Sequence, residues 1–507
     1  MIRSETNASW PDDISSLDIS LYQPFSVGEN GLEALKNITI NIDDLEFVSQ
    51  TGSEGPSFRY VNPQVVLKIT NLSFKNSFST NTGGSFHMES SNTLYLANCS
   101  FWNSSAFFDG GSVYSQTSNA IIIEKSCFNT TKGQNGGSAY MKSGKCNVSN
   151  SWFEKSEATQ SGGSLYILGM INDLVYRVSD CYFGECQCNQ SGGAIFVYSS
   201  PNAMTEIIDC SFFNCSSRNG HGGAVFVTLQ NNNGIFCNLK RICFSNCLIN
   251  NISPTYCGTS LYVNSAQQTN LLSFDMITCS KSGQAGCSQG SICIIYGQHY
   301  FKFLNVSQCC SKDTSGMLLY SFATSAYMYL NIINCSSMNI IYFYIFTSSA
   351  DILYANTLWN SGTNCILKFY GQQNKIAVRY TIFYGNFGTL FIKEVYPPNL
   401  INCYVVHDGT LPSGVNYENC VTTVSTSVLT PTHVISHYST FLCQTPFELG
   451  LLGAPCQTIP NGFSIIPCPT NPPSQTSCYI HTLTHNIPLE FNTLLVPVLV
   501  SFQIFCL

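Results

Sequence analysis

Gly192-Gly193-Ala194-Ile195-Phe196-Val197-Tyr198 is followed thirty residues later by Gly222-Gly223-Ala224-Val225-Phe226-Val227-Thr228. The same phrase stands upstream as Gly83-Gly84-Ser85-Phe86, Gly110-Gly111-Ser112-Val113-Tyr114, Gly136-Gly137-Ser138-Ala139-Tyr140 and Gly162-Gly163-Ser164-Leu165-Tyr166. The second glycines, Gly84, Gly111, Gly137, Gly163, Gly193 and Gly223, are 27, 26, 26, 30 and 30 residues apart. A second marker keeps phase with them: Phe74, Phe101, Phe128, Phe153, Phe183, Phe213 and Phe244, usually followed by Asn, Ser or Cys. Two markers at one period mean stacked repeats, each unable to bury its apolar face alone.

After Phe244 the glycines thin out but the rhythm persists. Cys257-Gly258-Thr259, Gly290-Ser291-Ile292, Ser315-Gly316-Met317, Asn339-Ile340-Ile341, Asn364-Cys365-Ile366 and Phe387-Gly388-Thr389 take the glycine slot. Ile277, Val306, Ile333, Leu358 and Phe383 take the phenylalanine slot.

Each repeat holds short runs of β-branched and aromatic residues, such as Ala194 to Tyr198 and Thr205 to Phe212, separated by Ser/Asn/Gln-rich corners. Such runs read as strands, and the glycine pair permits a tight turn at positive φ. No helical period of useful length occurs. The reading is an all-β chain: a right-handed, single-stranded parallel β-helix of about twelve coils, with strands about 4.8 Å apart along the axis. Residues 1–58 form an N-terminal cap or leader, 59–400 the β-helix, 401–490 a Cys/Pro/Thr-containing extension or stalk, and 491–507 an apolar tail. The Phe slot is expected to stack inside as an aromatic ladder. So are the Tyr and Phe residues after each glycine pair.

Of 507 residues only 10% are charged, against the roughly 25% of an ordinary soluble domain. The net charge of −7 argues against a nucleic-acid partner held through phosphates. Asn, Ser and Thr take the surface that charges usually cover.

These glycine and phenylalanine elements resemble the repeats of the polymorphic outer membrane protein family. Gly192-Gly193-Ala194-Ile195 and Gly222-Gly223-Ala224-Val225 match best. In Phe74-Lys75-Asn76, Phe101-Trp102-Asn103 and Phe244-Ser245-Asn246 the Asn comes one place early. The resemblance covers about two thirds of the chain. The bacterial proteins end in a membrane barrel, and the residues after these repeats carry no train of amphipathic strands. The chain looks more like protist-type surface proteins with such repeats. For those the resemblance implies display at the cell surface and adhesion to a host-cell, matrix or glycan surface.

Twenty-six cysteines are high for a large cytosolic chain. Cys181, Cys210 and Cys243 precede the Phe slot; Cys186, Cys215 and Cys247 follow it. Stacked one coil apart, these columns read either as disulfides or as buried thiols acting as small hydrophobes. Cys403, Cys420, Cys443, Cys456, Cys468 and Cys478 read as a disulfide-tied extension. Twelve Asn-x-Ser/Thr sequons, with Asn98, Asn103, Asn129, Asn147 and Asn214 as the main glycosylation candidates, fit a secreted chain. Met1 to Pro11 shows no signal-peptide core, so the chain is leaderless or its true start has been lost. Leu494 to Leu507 is the candidate for membrane association.

β-Helices also host polysaccharide-acting enzymes, which need a carboxylate pair flanking the scissile bond. Asp180 and Asp209 fall one coil apart and His221 lies in Gly220-His221-Gly222. These three form the catalytic alternative. Against it stand the missing Asp-Asp pair and Arg-x-Lys element of the polygalacturonases. No zinc pattern, calcium ladder or cofactor motif is present. The main reading is a non-catalytic surface or secreted repeat protein of adhesin-like role.

Overall fold

A computed structural model describes residues 66–422 apart from short internal segments, together with the strands Thr39–Asp43, Glu46–Val48 and Phe58–Val61. The described regular structure is all β, and its strands pair in parallel with the coil before and the coil after. The coil from Ala139 shows the plan. A long strand, Ala139–Ser149, is followed by Trp152–Glu154 and Glu157–Ala158, and the chain then returns one coil on as Leu165–Gly169. Each residue lies over its counterpart: Ala139 on Leu165, Phe153 on Phe183, Ala158 on Cys188.

The interior follows from the two-residue period of a strand. Phe74, Phe101, Phe128, Phe153 and Phe183 stack with centroids 4.6–5.1 Å apart and planes within 8°. All are fully buried. Offset-stacked rings add about 0.5–1.5 kcal/mol per pair to what their burial contributes. The next rung is Phe212, not Phe213: Phe183 pairs with Phe212 and Phe212 with Phe244. Phe213 pairs with Gly184 and faces outward, half-buried. Equal spacing favours Phe213, but the flanking Cys-x-Phe-x-x-Cys frame of 181–186 recurs as 210–215 around Phe212. A slip of one residue would turn every side chain of that strand over. The column continues through Cys279, Val306, Ile332, Thr357 and Phe383, so the slots expected at Ile277, Ile333 and Leu358 also move by one or two places. From Phe74 to Phe383 the rungs enclose about eleven turns.

The two glycines of each pair do different work. The first takes the left-handed conformation, with φ +71° at Gly192. The second is a place of close approach: a Cβ on Gly193 would lie 2.0 Å from the Gly223 carbonyl oxygen and 2.5 Å from that of Ser216. Coils with glycine pairs carry a second, seven-stranded sheet of two-residue strands running from Phe78–Ser79 to Leu248–Ile249. Where the pairs disappear, that short strand and the next one merge into single strands such as Ser336–Ile345 and Ser361–Tyr370, with a bulge at the old corner. Pairing continues past residue 400, through Asn399–Ile401, Tyr404–His407 and Asn416–Glu418.

Phe212→Ala is expected to cost about 3–5 kcal/mol and Phe213→Ala under about 1 kcal/mol in urea denaturation. The reverse order would place Phe213 in the ladder. Gly193→Ala, which forces Cβ into two carbonyls, is expected to cost about 3 kcal/mol or to abolish folding.

Candidate interaction surface

Three columns of left-handed residues run along the solenoid, one at each corner. The glycines form the first. The second, just after the Phe strand, holds Asn76, Asn103, Thr130, Lys155, Glu185, Asn214 and Asn246, then Lys281, Gln308 and Asn334. The third holds Asn71, Asn98, Lys125, Asn150, Asp180, Asp209 and Arg241, then Met276, Phe303, Tyr329, Tyr354 and Tyr380, then Asn402 and Asn419. Many of these residues still bond the next coil through the backbone: Asn103 N–H donates to the Asn129 carbonyl and Tyr354 N–H to that of Arg379. Asn is the non-glycine residue that best tolerates this conformation. Its amides also link coils, Asn103 Nδ2 to Asn76 Oδ1 at 2.8 Å.

This grammar accounts for several sequons. Asn98, Asn103 and Asn214 are corner residues, followed by a small inward residue and then a serine. Asn98 and Asn103 are exposed, while Asn129, Asn147 and Asn214 are half-buried.

The same grammar accounts for the cysteines. The residue after a corner points inward and returns a hydrogen bond to the carbonyl two residues back. Cys181 Sγ donates to Ser179 O at 3.0 Å and Cys210 Sγ to Ile208 O at 3.2 Å. Ser126, Ser151 and Thr381 do the same in other coils with their hydroxyls. Cysteine here is a buried equivalent of serine. Cys181, Cys186, Cys210, Cys215 and Cys247 are free thiols. Burial pushes the Cys186, Cys210 and Cys215 thiols well above their ordinary value. Cys403 and Cys420 stand in the same column, as free thiols bonded to Ile401 O and Glu418 O. Cys243 leaves it: Ile242 pairs with Cys210, while Cys243 lies over Ser211 and is disulfide-bonded. Cys443, Cys456, Cys468, Cys478 and the 494–507 segment lie outside the described residues.

The catalytic alternative is dispersed. Asp180 and Asp209 do stack on one corner, as their spacing predicts. Asp209 is buried, however, and held by Arg241 through Nε–Oδ1 at 2.5 Å and Nη2–Oδ2 at 2.6 Å. His221 sits on the glycine corner, with its ring over Tyr262 at 4.4 Å and its contacts to Ser191, Tyr256 and Cys257. Neither aspartate is among them. Among the described residues, no group of three or more His, Cys, Asp or Glu could hold a metal ion.

Two aromatic ladders run along the outer side of the strands instead, the first half-buried to buried and the second partly exposed. In the first, His87, Tyr114, Tyr140, Tyr166, Phe196, Phe226 and Tyr262 stack at 4.6–5.2 Å. His87 aside, these are the rings after the glycine pairs, expected inside; Phe86 of the first pair does point inward, and in the ladder Tyr140 and Tyr262 are buried all the same. Val113, Leu165, Ile195 and Val225 point inward, so the next residue must point out. Burial, with Glu89 and Asp109 nearby, pushes the Tyr114 hydroxyl up to about 12, so it remains a hydrogen-bond donor at neutral pH.

The second ladder is the corner run Phe303, Tyr329, Tyr354 and Tyr380, with centroids 4.8, 5.3 and 5.1 Å apart. Tyr380 is 45% exposed and the others are partly exposed. Lys302 lies 4.8 Å over the Phe303 ring, and Arg379 is exposed beside Tyr380. Sequence reasoning passed over these residues although they recur every 25 or 26 positions, three residues before the Phe slot.

Compared with family models, curated proteins and solved structures, the chain matches none.

Arg241→Ala leaves the buried Asp209 carboxylate without its guanidinium and is expected to cost about 2–3 kcal/mol, less than a fully buried pair because Arg241 is partly exposed. Adding Asp209→Asn should recover much of that loss in the same denaturation assay. If the double variant is as unstable as the single one, the pair is not the source of the effect.

Proposed function

We propose that this chain is a non-catalytic, secreted or cell-surface repeat protein that binds another surface along its solenoid, an adhesin-like role. The resemblance of its repeats to those of the polymorphic outer membrane proteins points the same way. The observation that carries the reading is the corner ladder Phe303–Tyr329–Tyr354–Tyr380. Each of these bulky residues holds a left-handed backbone, with φ between 52° and 58°. That conformation costs of order 1–3 kcal/mol for such a side chain. The same column uses Asn71, Asn98, Asn150, Asn402 and Asn419 elsewhere, which make the corner with less strain. Stacking between coils offsets part of the cost. Corner geometry alone therefore favours asparagine, and the aromatics add a rigid, amphipathic strip flanked by Lys302 and Arg379.

Tyr, Trp and Arg dominate binding hot spots because large rigid rings give contact area at low entropy cost. Rungs at a fixed spacing repeat that contact along the rod, which suits a multivalent partner such as a glycan, matrix protein or host-cell surface. The exposed Asn98 and Asn103 are the first places to look for glycans.

The test combines location and binding. Surface biotinylation of intact cells producing the full chain should label it, and strictly intracellular protein would refute the surface reading. On glycan and matrix arrays, Tyr354→Ser with Tyr380→Ser should weaken binding at least about tenfold, the scale of a hot-spot residue. Unchanged binding by a folded double variant would remove the strip from the account.

A further inference from the structure

We infer that Cys257 and Cys293, with His221, form a peroxide-oxidisable dithiol that closes into a disulfide between adjacent coils. His221 and Cys257 occupy successive rungs of the glycine corner, since Gly192 N–H donates to the His221 carbonyl and Gly222 N–H to that of Cys257. Cys293 belongs to the following coil, where it lies over Tyr262. The Cys257 and Cys293 sulfurs are 2.7 Å apart, and both are free thiols. His221 Nδ1 is 3.5 Å from Cys257 Sγ and 3.2 Å from its backbone nitrogen. In the neutral imidazole Nδ1 accepts from the Cys257 N–H and is the nearest base for the thiol proton; once it has taken that proton it donates to Cys257 Sγ instead. Tyr262, stacked on the imidazole at 4.4 Å, fixes the ring from one side.

The two sulfurs are not equivalent. Burial alone would push both up, but hydrogen bonds from Cys293 and His221, and the charge of a protonated His221, bring Cys257 down to about 7. Cys293 goes well above its ordinary value through burial and the Cys257 sulfur beside it. Cys257 is the nucleophile and Cys293 the resolving thiol. Cys257 is 6% exposed and Cys293 sealed. Only a small, uncharged oxidant suits such an entrance, and hydrogen peroxide is that class. By contrast, the Cys279 and Cys309 sulfurs are 3.9 Å apart and both lie closed in the core.

The chemistry balances with peroxide as sole oxidant. The Cys257 thiolate attacks one peroxide oxygen, the O–O bond breaks, and the leaving hydroxide takes the proton held on His221 to become water. Cys293 sulfur then attacks the Cys257 sulfenic acid. The S–O bond breaks, and the hydroxyl leaves with the Cys293 proton as a second water. The dithiol loses two electrons and peroxide gains them. The resulting bond ties residues 36 apart across two coils, so the oxidised chain should melt at a higher temperature.

The experiment treats the full reduced chain with limiting hydrogen peroxide from pH 6 to 9, alkylates the remaining thiols and maps peptides by mass. A Cys257–Cys293 cross-link should appear first, with a rate midpoint near pH 7. Cross-links or sulfinic acids elsewhere that form earlier would overturn the inference, so the wild-type chain alone decides it. Cys293→Ala should trap Cys257 as a dimedone-reactive sulfenic acid. His221→Gln should slow the cross-link about tenfold and move its midpoint up by about one pH unit or more. A folded His221→Gln chain with the wild-type pH profile would remove the imidazole from the site.

Discussion

A coil in a solenoid can satisfy its backbone only with the coils on either side, and this forces every coil to turn at the same place in the same way. The left-handed corners are where that demand is hardest. At most corners of the asparagine-rich columns, such as Asn71, Asn98, Asn103 and Asn150, the N–H reaches the carbonyl that precedes the next corner, so φ there cannot vary without breaking the ladder. Buried backbone groups left unpaired would each cost about 1–3 kcal/mol. From this one demand follow the glycines, the asparagines, and the inward Ser, Thr and Cys residues that bond the corner carbonyl. Asn360 and Asn386 show a further solution, reaching the Ile332 and Thr357 carbonyls with their amides.

Congruent stacking also explains the scarcity of charge. A like charge on the same face of every coil would repel its neighbours at about 4.8 Å. Where charges do occur, they tend to pair with the opposite sign one coil away: Lys132 with Glu157, Arg177 with Glu206, Arg241 with Asp209 and Lys240 with Asp275. Uncharged amides and hydroxyls stack without that penalty and supply donors and acceptors in equal measure.

Much of this was legible in the sequence because a period survives noise. Glycine and phenylalanine markers in phase revealed the solenoid and the stacked interior column. Where the reading slipped, it did so by one or two residues. Phe212 and Phe213 are adjacent, and equal spacing favoured the wrong one, whereas the cysteine frame around Phe212 held the true register. The rings after the glycine pairs read as interior because they keep the period; Phe86 is, but Tyr114 to Tyr262 lie on the outer side of their strands, some of them buried there. Period tells that a position repeats; which face it takes depends on strand alternation from Val113 or Leu165. The corner ladder escaped notice because aromatics in left-handed corners run against every propensity. His221 was visible as a motif, but its partners Cys257 and Cys293 come from other coils, and only the fold brings the three together.

The central claim is that residues at equivalent corners lie in a straight column, one backbone spacing per coil. Distances between paired spin labels test it most directly. Labels placed through a non-natural amino acid at the equivalent corners Asn103, Asn214 and Gln308 spare the native thiols. The account predicts separations that grow in proportion to the coils between them, roughly 19 Å from Asn103 to Asn214 and roughly 34 Å from Asn103 to Gln308. Distances that fail to grow with coil number, as in a compact globular core, would contradict it.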